Sequence, residues 1–584
     1  MEDKNSKEDY FLKYQEPCIT YDSMIHDRFR DKEMLNGYWN FQIDPYDTFL
    51  RADWYKENRK DICQRDLPYD YSFDNWDKVT VPSCWNTADT RFFYYEGTMI
   101  YTRTFKYVNR GEGRVYIKFG AANYECRVFL NKKFIGIHKG GSTPFYINVT
   151  DFIQGENRLH VVVSNWRRKE NVPTDNMDWF NYGGLYRDVE LIRVKKTFIK
   201  AMRASLAEEG NLKKIRVEIN VEGEELSGKA QVRIPILNVQ KDFEVANGKG
   251  VIEFRAELEP WSPNNPTLYM IEVEYLEDIV KDKVGFREIK VKDGEIYLNG
   301  KKIFLRGVCC HEESVENGRC LTEDEVIENI KLAKEMNCNF MRLTHYPHSE
   351  RVAKLADQLG IMLWEEIAVY WSINFDNPST VKDAKNQMLE LINRDYNRAS
   401  VIIWGVGNEH EDTDSRFTFM NDLIELTKKQ DSTRLISAAC LLDEEKQKIS
   451  DRLSDCIDVI SINEYYGWYD RDINHLTELF ENSNVNKPVI VTEFGADALC
   501  GHRGTVDELF TEECQADVYK KQLEIFRKVK CIKGLSPWIL YDFRSPRRTN
   551  KYQRGYNLKG LLSADKKCKK MSYNIMKKFY KDIY

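Results

Sequence analysis

From about Gly285 onward the sequence alternates short, nearly unbroken apolar runs with stretches of helical periodicity. Eight runs stand out: KIFLRGV (Lys302–Val308), NFMRLTH (Asn339–His345), IMLWEE (Ile361–Glu366), VIIWGVG (Val401–Gly407), RLISAA (Arg434–Ala439), DVISIN (Asp458–Asn463), PVIVTE (Pro488–Glu493) and SPWILYDF (Ser536–Phe543). Strands apolar on both faces must be covered on both faces, as in a parallel sheet wrapped by helices. TEDEVIENIKLAKEMN shows the intervening pattern. Thr322 and Glu325 have capping-box spacing, and Val326, Ile330 and Ala333 share one helical face. SYNIMKKFY sets Tyr573, Met576 and Phe579 at the same spacing, and both stripes are read as packing. Eight such units in about 300 residues predict a (β/α)8 TIM barrel over 287–584.

The first half reads differently. RVYIKFG (Arg114–Gly120), CRVFLNKKFIGIH (Cys126–His138) and LHVVVSNW (Leu159–Trp166) alternate apolar and polar residues between turn-forming Gly, Asn, Asp and Pro, and predict a β-sandwich over 1–194 that ends after LIRV. KIRVEINVEGEE and MIEVEYLE, separated by PWSPNNPTLY, predict a small immunoglobulin-like β-sandwich over 195–286. The fold class is therefore multidomain α+β, which suits a chain of 584 residues.

A net charge of -6 at this length recruits neither nucleic acid nor an anionic membrane. No apolar run approaches the ~18 residues of a membrane span. The N-terminal MEDKNSKEDY has no apolar core, so no signal peptide is expected. The 14 cysteines are scattered without a CxxC pair and are read as free thiols of a reducing cytoplasm.

In such a barrel the C-terminal strand ends carry the chemistry. In order they point to His311, to His345 and Tyr346, to Glu365 and Glu366, to Asn408 and Glu409, to Asn463 with Glu464, Tyr465 and Tyr466, to Glu493, and to Trp538; strand five, ending near Cys440, offers little. Carboxylates supply acid, base and nucleophile, aromatic rings stack on sugar faces, and Asn and His donate to hydroxyls, so the set suits glycoside hydrolysis. It suits a metal site less: HEESV and HEDTD each lack the second histidine of HExxH, and no metal ligands are assigned. GVG lacks the third glycine of a dinucleotide fingerprint. Glu409 and Glu493, on strands four and seven, face one another across the mouth. A separation of about 5–5.5 Å predicts retention through a glycosyl-enzyme. His410 and Glu411 are read as supporting or solvent-facing.

GNE (407–409), NEYYGWY (463–469) and VTEFGAD (491–497) resemble glycoside hydrolase family 2, and within it the β-glucuronidases of bacterial type with a short active-site loop. The resemblance spans nearly the whole chain. NGYWNFQID, VPSCWN and FNYGGLYRDVEL look like the family's N-terminal jelly-roll, sugar-binding-like β-sandwich, PWSPNNPTLY like its immunoglobulin-like domain, and GFREI with LNGKKIFLRGVCCHEE like the start of its barrel. Carried over, the resemblance implies Glu409 as acid/base and Glu493 as nucleophile. It implies Asn408 at the sugar 2-hydroxyl, and His345, Asn463, Tyr465 and Tyr469 around the sugar. Trp538 would be the floor, and Asp178 would reach a ring hydroxyl from the first domain. Met177 departs from the histidine common in relatives.

Asn557 and Lys559 in RGYNLKG match the Asn-x-Lys-Gly signature of the glucuronidases. A sugar carboxylate needs a cation and a neutral donor held together, and a neutral sugar does not. The preceding DFRSPRRTNKYQ is basic and either assists an anionic substrate or forms a solvated face. Between strand three and the next helix lies only VYWSINFDNPSTVKD (Val369–Asp383), which predicts an open mouth.

The expected activity is a retaining exo-β-glucuronidase acting without metal or cofactor. The alternatives are a β-galacturonidase, a β-galactosidase, and an inactive carbohydrate-binding protein. The resemblance also implies a homo-oligomer, dimer or tetramer, and some short-loop relatives hold flavin mononucleotide (FMN) at a non-catalytic surface site, for which no motif is visible here.

Overall fold

The computed structural model describes residues 13–583, apart from 58, 59, 61, 62, 64, 66–71, 110 and 112. The charged stretch MEDKNSKEDY lies outside the described residues.

Two antiparallel sheets form the first sandwich. One runs Lys32–Met34, Val189–Val194, Arg114–Phe119, Phe145–Asn148. The other runs Asp77–Val81, Gly37–Ile43, Thr98–Lys106, Glu156–Ser164, Glu125–Leu130, Lys133–Lys139. Trp39, Phe41, Ile117, Phe119, Val128 and Val161 fill the space between them. Alternation explains this: inward positions are apolar while their neighbours face out.

The second β-unit is one seven-stranded antiparallel sheet, curled so that its inner face closes on itself. Its two halves are joined only where Val239–Ala246 and Lys249–Arg255 meet, through Val245–Gly250 and Ala246–Lys249. This is the immunoglobulin-like arrangement.

A three-stranded meander, Ile289–Lys292, Glu295–Leu298 and Lys301–Ile303, then plugs the barrel bottom. Ile296 and Leu298 pack there against Leu305, Phe340, Met362, Trp364 and Ile402.

The barrel is parallel. Strand one is split into Leu305–Arg306, paired with strand eight, and Cys309–Cys310, paired with strand two. Strands two to eight are Phe340–Leu343, Met362–Glu366, Val401–Asn408, Leu435–Cys440, Val459–Asn463, Val489–Glu493 and Ile532–Leu535. The break in strand one falls at Gly307, where a Cβ would lie 2.6 Å from the Phe340 ring and 2.9 Å from Leu535 O. Glycine lets the strand pass this closely packed seam.

Three expectations are corrected. KIFLRGV is not one strand: its first residues belong to the meander and the rest to split strand one. SPWILYDF is not strand eight. IKGL (Ile532–Leu535) is, and the more apolar run continues beyond it between strands seven and one, buried there, with the Ser536 N–H donating to Val491 O and the Leu540 N–H to Cys309 O. The cysteines are not all free: Cys500 and Cys568 are joined. The loop after strand seven and the segment before the last helix bring them together, 68 residues apart, where sequence spacing carries no signal.

The Thr322–Glu325 capping box forms on the helix Glu323–Glu335, and Tyr573, Met576 and Phe579 are buried on the helix Met571–Asp582. A buried ionic chain locks the units together. Asp282 of the second sandwich accepts from Arg28 at 3.0 Å and from barrel Arg398 at 2.6 Å, and Arg398 reaches Asp357 at 2.9 Å. Among the described residues no helix is long and apolar enough to cross a membrane.

Candidate active site

A pocket of about 350 Å³ opens at the C-terminal ends of the barrel strands. Asp178, His345, Glu409, Asn463, Tyr465, Tyr469, Glu493, Trp538, Asn557 and Lys559 all line it. Asn408 stands just behind, its Nδ2 donating to Glu409 Oε2 at 3.1 Å.

Glu409 follows the last residue of strand four in left-handed backbone, φ 56°. That conformation is sparsely populated for a non-glycine residue. Its N–H donates to Ala439 O at 2.9 Å, and its carboxylate accepts from Trp371 Nε1 at 2.9 Å.

Glu493 ends strand seven and is 5% exposed. Its Oε1 accepts from Arg342 at 2.9 Å and its Oε2 from the Tyr465 hydroxyl at 2.7 Å. Burial and the Glu409 charge push its carboxyl up to about 8, against the pull of Arg342 and Tyr465. Two carboxyls in one pocket resist being ionised together, so the pair holds a proton into the neutral range.

Arg342 is the hub. Fully buried inside strand two, it also donates to Asn408 Oδ1 at 2.7 Å and to Glu366 at 3.1 and 3.2 Å. Burial alone would raise the Glu366 carboxyl, but Arg342 and His345 hold it below the usual range. Ionised Glu366 then accepts from His345 Nδ1 at 2.8 Å. Burial lowers His345, so the ring is neutral and Nε2 is left as an acceptor. Trp538 stacks on that ring at 5.1 Å.

At another wall Lys559, 1% exposed, pairs with Asp497 at 2.7 Å and donates to the Tyr469 hydroxyl at 2.7 Å. A buried ammonium needs such a counter-ion. Asn557 Oδ1 accepts from the Lys559 N–H at 3.1 Å, tying the two residues into one turn. Asp178 arrives from the first sandwich, but its carboxylate is already engaged by Ser545 and Arg548. His410 is fully buried, edge-on to Phe375, and Glu411 is exposed. The two thus part ways, and neither lines the pocket.

Sequence reading missed several lining or supporting residues: Arg342, Tyr370, Trp371, Asp497 and Arg548. Arg342 was visible as a lone cation inside an apolar strand, a placement that demands buried partners. Strand five also contributes more than expected, since Cys440, Leu441, Leu442 and Glu444 form part of the wall. Among the described residues one group could gather a metal, Cys500, Glu512 and Cys568; two of its sulfurs are joined and none of the three lines the pocket.

Paired carboxyls at the mouth of a parallel barrel, aromatic walls and a neutral histidine define a glycoside hydrolase. Residues 289–584 match the model for the glycosyl hydrolases family 2 TIM barrel domain, 32–195 that for its sugar binding domain, and 197–287 the model named for glycosyl hydrolases family 2. The chain belongs to glycosyl hydrolases family 2.

Among its relatives is a β-glucuronidase of Streptococcus agalactiae, 28% identical over 79% of this chain and 85% of the relative. Two similar solved structures are a β-glucuronidase of an uncultured Clostridium and a galacturonate-bound β-galacturonidase of Eisenbergiella tayi. The first has TM-score 0.82 and 26% identity, covering 96% of this chain and 99% of the other. The second has TM-score 0.82 and 25% identity, covering 95% and 98%.

Proposed function

We propose that this chain is a retaining exo-β-glucuronidase. Glu409 donates a proton to the glycosidic oxygen while Glu493 attacks the anomeric carbon. The glycosyl-enzyme is then opened by water that Glu409, now a base, deprotonates. Arg342 favours the charge on Glu493, whereas Glu409 is met by the neutral donors Trp371 and Asn408. That asymmetry supports Glu493, held by a cation, as the group that attacks and Glu409 as the group that exchanges a proton.

Asn408 Nδ2 is the donor offered to the sugar 2-hydroxyl, His345 Nε2 accepts from a ring hydroxyl, Asn463 and Tyr465 hold Asn408 and Glu493, and Trp538 forms the floor. The observation that carries the substrate is Lys559: a buried cation beside Asn557 in the wall of the same pocket. A neutral hexose has no charge to offer it. The reading uses side chains alone for catalysis. It also divides the chain at 194 and 286, which is supported by where the three family matches meet.

The second reading is a β-galacturonidase, favoured by the likeness to the Eisenbergiella tayi structure. Its substrate keeps the carboxylate and inverts one hydroxyl. A panel of 4-nitrophenyl β-glycosides (glucuronide, galacturonide, galactoside, glucoside, mannoside) separates the readings. Dominant glucuronide turnover is expected. Dominant galacturonide turnover moves the assignment to the epimer, and dominant galactoside turnover overturns the uronide reading.

A further inference from the structure

The basic stretch DFRSPRRTNKYQ is divided by the fold among three tasks. Arg544 packs behind the pocket, donating to the Tyr182 hydroxyl and to Val315 O, both at 2.8 Å. Arg547 lies over the Trp371 ring, 4.9 Å from its centroid. Of the three, Arg548 alone lines the pocket.

Its Nε donates to Asp178 Oδ2 at 3.2 Å, and its Nη2 donates to the same oxygen. Its Nη1 donates to the Tyr469 hydroxyl at 3.2 Å, the oxygen that also accepts from Lys559 Nζ at 2.7 Å. Two cation–carboxylate pairs, Arg548 with Asp178 and Lys559 with Asp497, therefore converge on one phenol oxygen. The donor count is informative. Both lone pairs of that oxygen are taken, so its own O–H is left to donate. Lys559 retains one of its three N–H groups, and Arg548 retains N–H groups beyond those facing Asp178 and Tyr469.

We infer that Arg548 is a specificity-determining residue for the sugar carboxylate, acting beside Lys559 and through the Tyr469 hydroxyl set between them, with Asp178 as its positioning residue. This rests on the uronide reading above. A guanidinium offers a planar, directional set of donors that an ammonium cannot reproduce. It also assigns Asp178 to holding Arg548 rather than to reading a ring hydroxyl.

The test uses 4-nitrophenyl β-D-glucuronide and its methyl ester, which keeps the shape and removes the charge, with the full-length Arg548→Gln and Arg548→Lys variants. Arg548→Gln should lower kcat/KM for the acid about tenfold or more, mainly through KM, and lower that for the ester much less. Arg548→Lys should recover part of the acid-to-ester preference, and it answers the question alone should Arg548→Gln fail to fold. An acid-to-ester ratio unchanged in the folded variants, or both substrates falling by one factor, overturns the inference. A wild type that prefers the neutral galactoside over the glucuronide overturns the uronide reading instead.

Discussion

Trp371 donates its indole N–H to Glu409 across 2.9 Å, and both residues hold left-handed backbone, at φ 52° and 56°. Each such conformation costs about 1–3 kcal/mol and persists only where its surroundings over-determine it. The loop after strand three and the end of strand four are thus both bent to bring one ring nitrogen to one carboxylate. Trp371→Phe keeps the ring and removes the donor. We expect kcat to fall roughly tenfold to hundredfold, most for aryl glucuronides with poor leaving groups. An unchanged kcat across a leaving-group series would remove Trp371 from the proton-transfer step.

The carboxyl pair predicts the alkaline limb of the pH profile. Glu493 is pushed up to about 8 by burial and the Glu409 charge. The active form carries one proton on the pair, so kcat/KM should decline as pH rises through about 8, where that proton leaves. Arg342 lowers the Glu493 carboxyl, so Arg342→Met should raise it further. The limb then moves to higher pH, while the maximum rate drops because the nucleophilic carboxylate has lost its buried cation. A limb that stays in place in the variant contradicts this coupling.

Glu493→Ala should abolish turnover outright. Glu409→Ala should spare the first step for a leaving group that needs no proton, and azide, which needs no base, should restore its release. Full activity in either variant refutes the assignment.

Lys559→Ala should weaken glucuronide turnover and the fold together. Breaking one partner of a buried pair costs about 3–5 kcal/mol, because Asp497 is left charged with only the neutral donors Gln553 Nε2 and the Leu558 N–H. Lys559→Met with Asp497→Asn should regain much of the lost melting temperature and none of the glucuronide kcat/KM. Recovery of both would make Lys559 purely structural.

Gly405 gives a packing test. A Cβ there would meet Trp364 Nε1 at 2.2 Å and Glu366 Cβ at 2.6 Å. Gly405→Ala should destabilise by about 1–3 kcal/mol. It should also lower kcat by displacing Glu366 from Arg342 and His345. Thermal melts and steady-state rates measured together check both halves.

What the sequence made legible followed from periodicity. The strands leading to Asn408, Glu409, Asn463 and Glu493 were visible because their apolar runs, interrupted only by the small Ser461 and Thr492, stop abruptly at amide or carboxylate side chains. Strand eight was misplaced for the same reason: SPWILYDF is more apolar than IKGL, yet its apolarity serves the buried loop that continues strand eight between strands seven and one. Arg342 contradicts the strand rule locally and is therefore the kind of residue that periodicity overlooks. Lys559 could be read from a short signature, but Asp497, its counter-ion, depends on a contact between residues 62 apart in number that no spacing announces. Arg548 was hidden among three arginines that only tertiary contacts tell apart.

The split first strand bears on how the polypeptide is made. Leu305–Arg306 finds its neighbour in Ile532–Leu535, which leaves the ribosome after every other barrel strand. Both sandwiches are complete hundreds of residues earlier and can fold while synthesis continues. The nascent barrel, by contrast, waits as a curved sheet with two unpaired edges, the form most prone to join with a neighbour's edge. Only the arrival of strand eight seals it. A ribosome that stalls before that point leaves a sticky fragment rather than a weak enzyme.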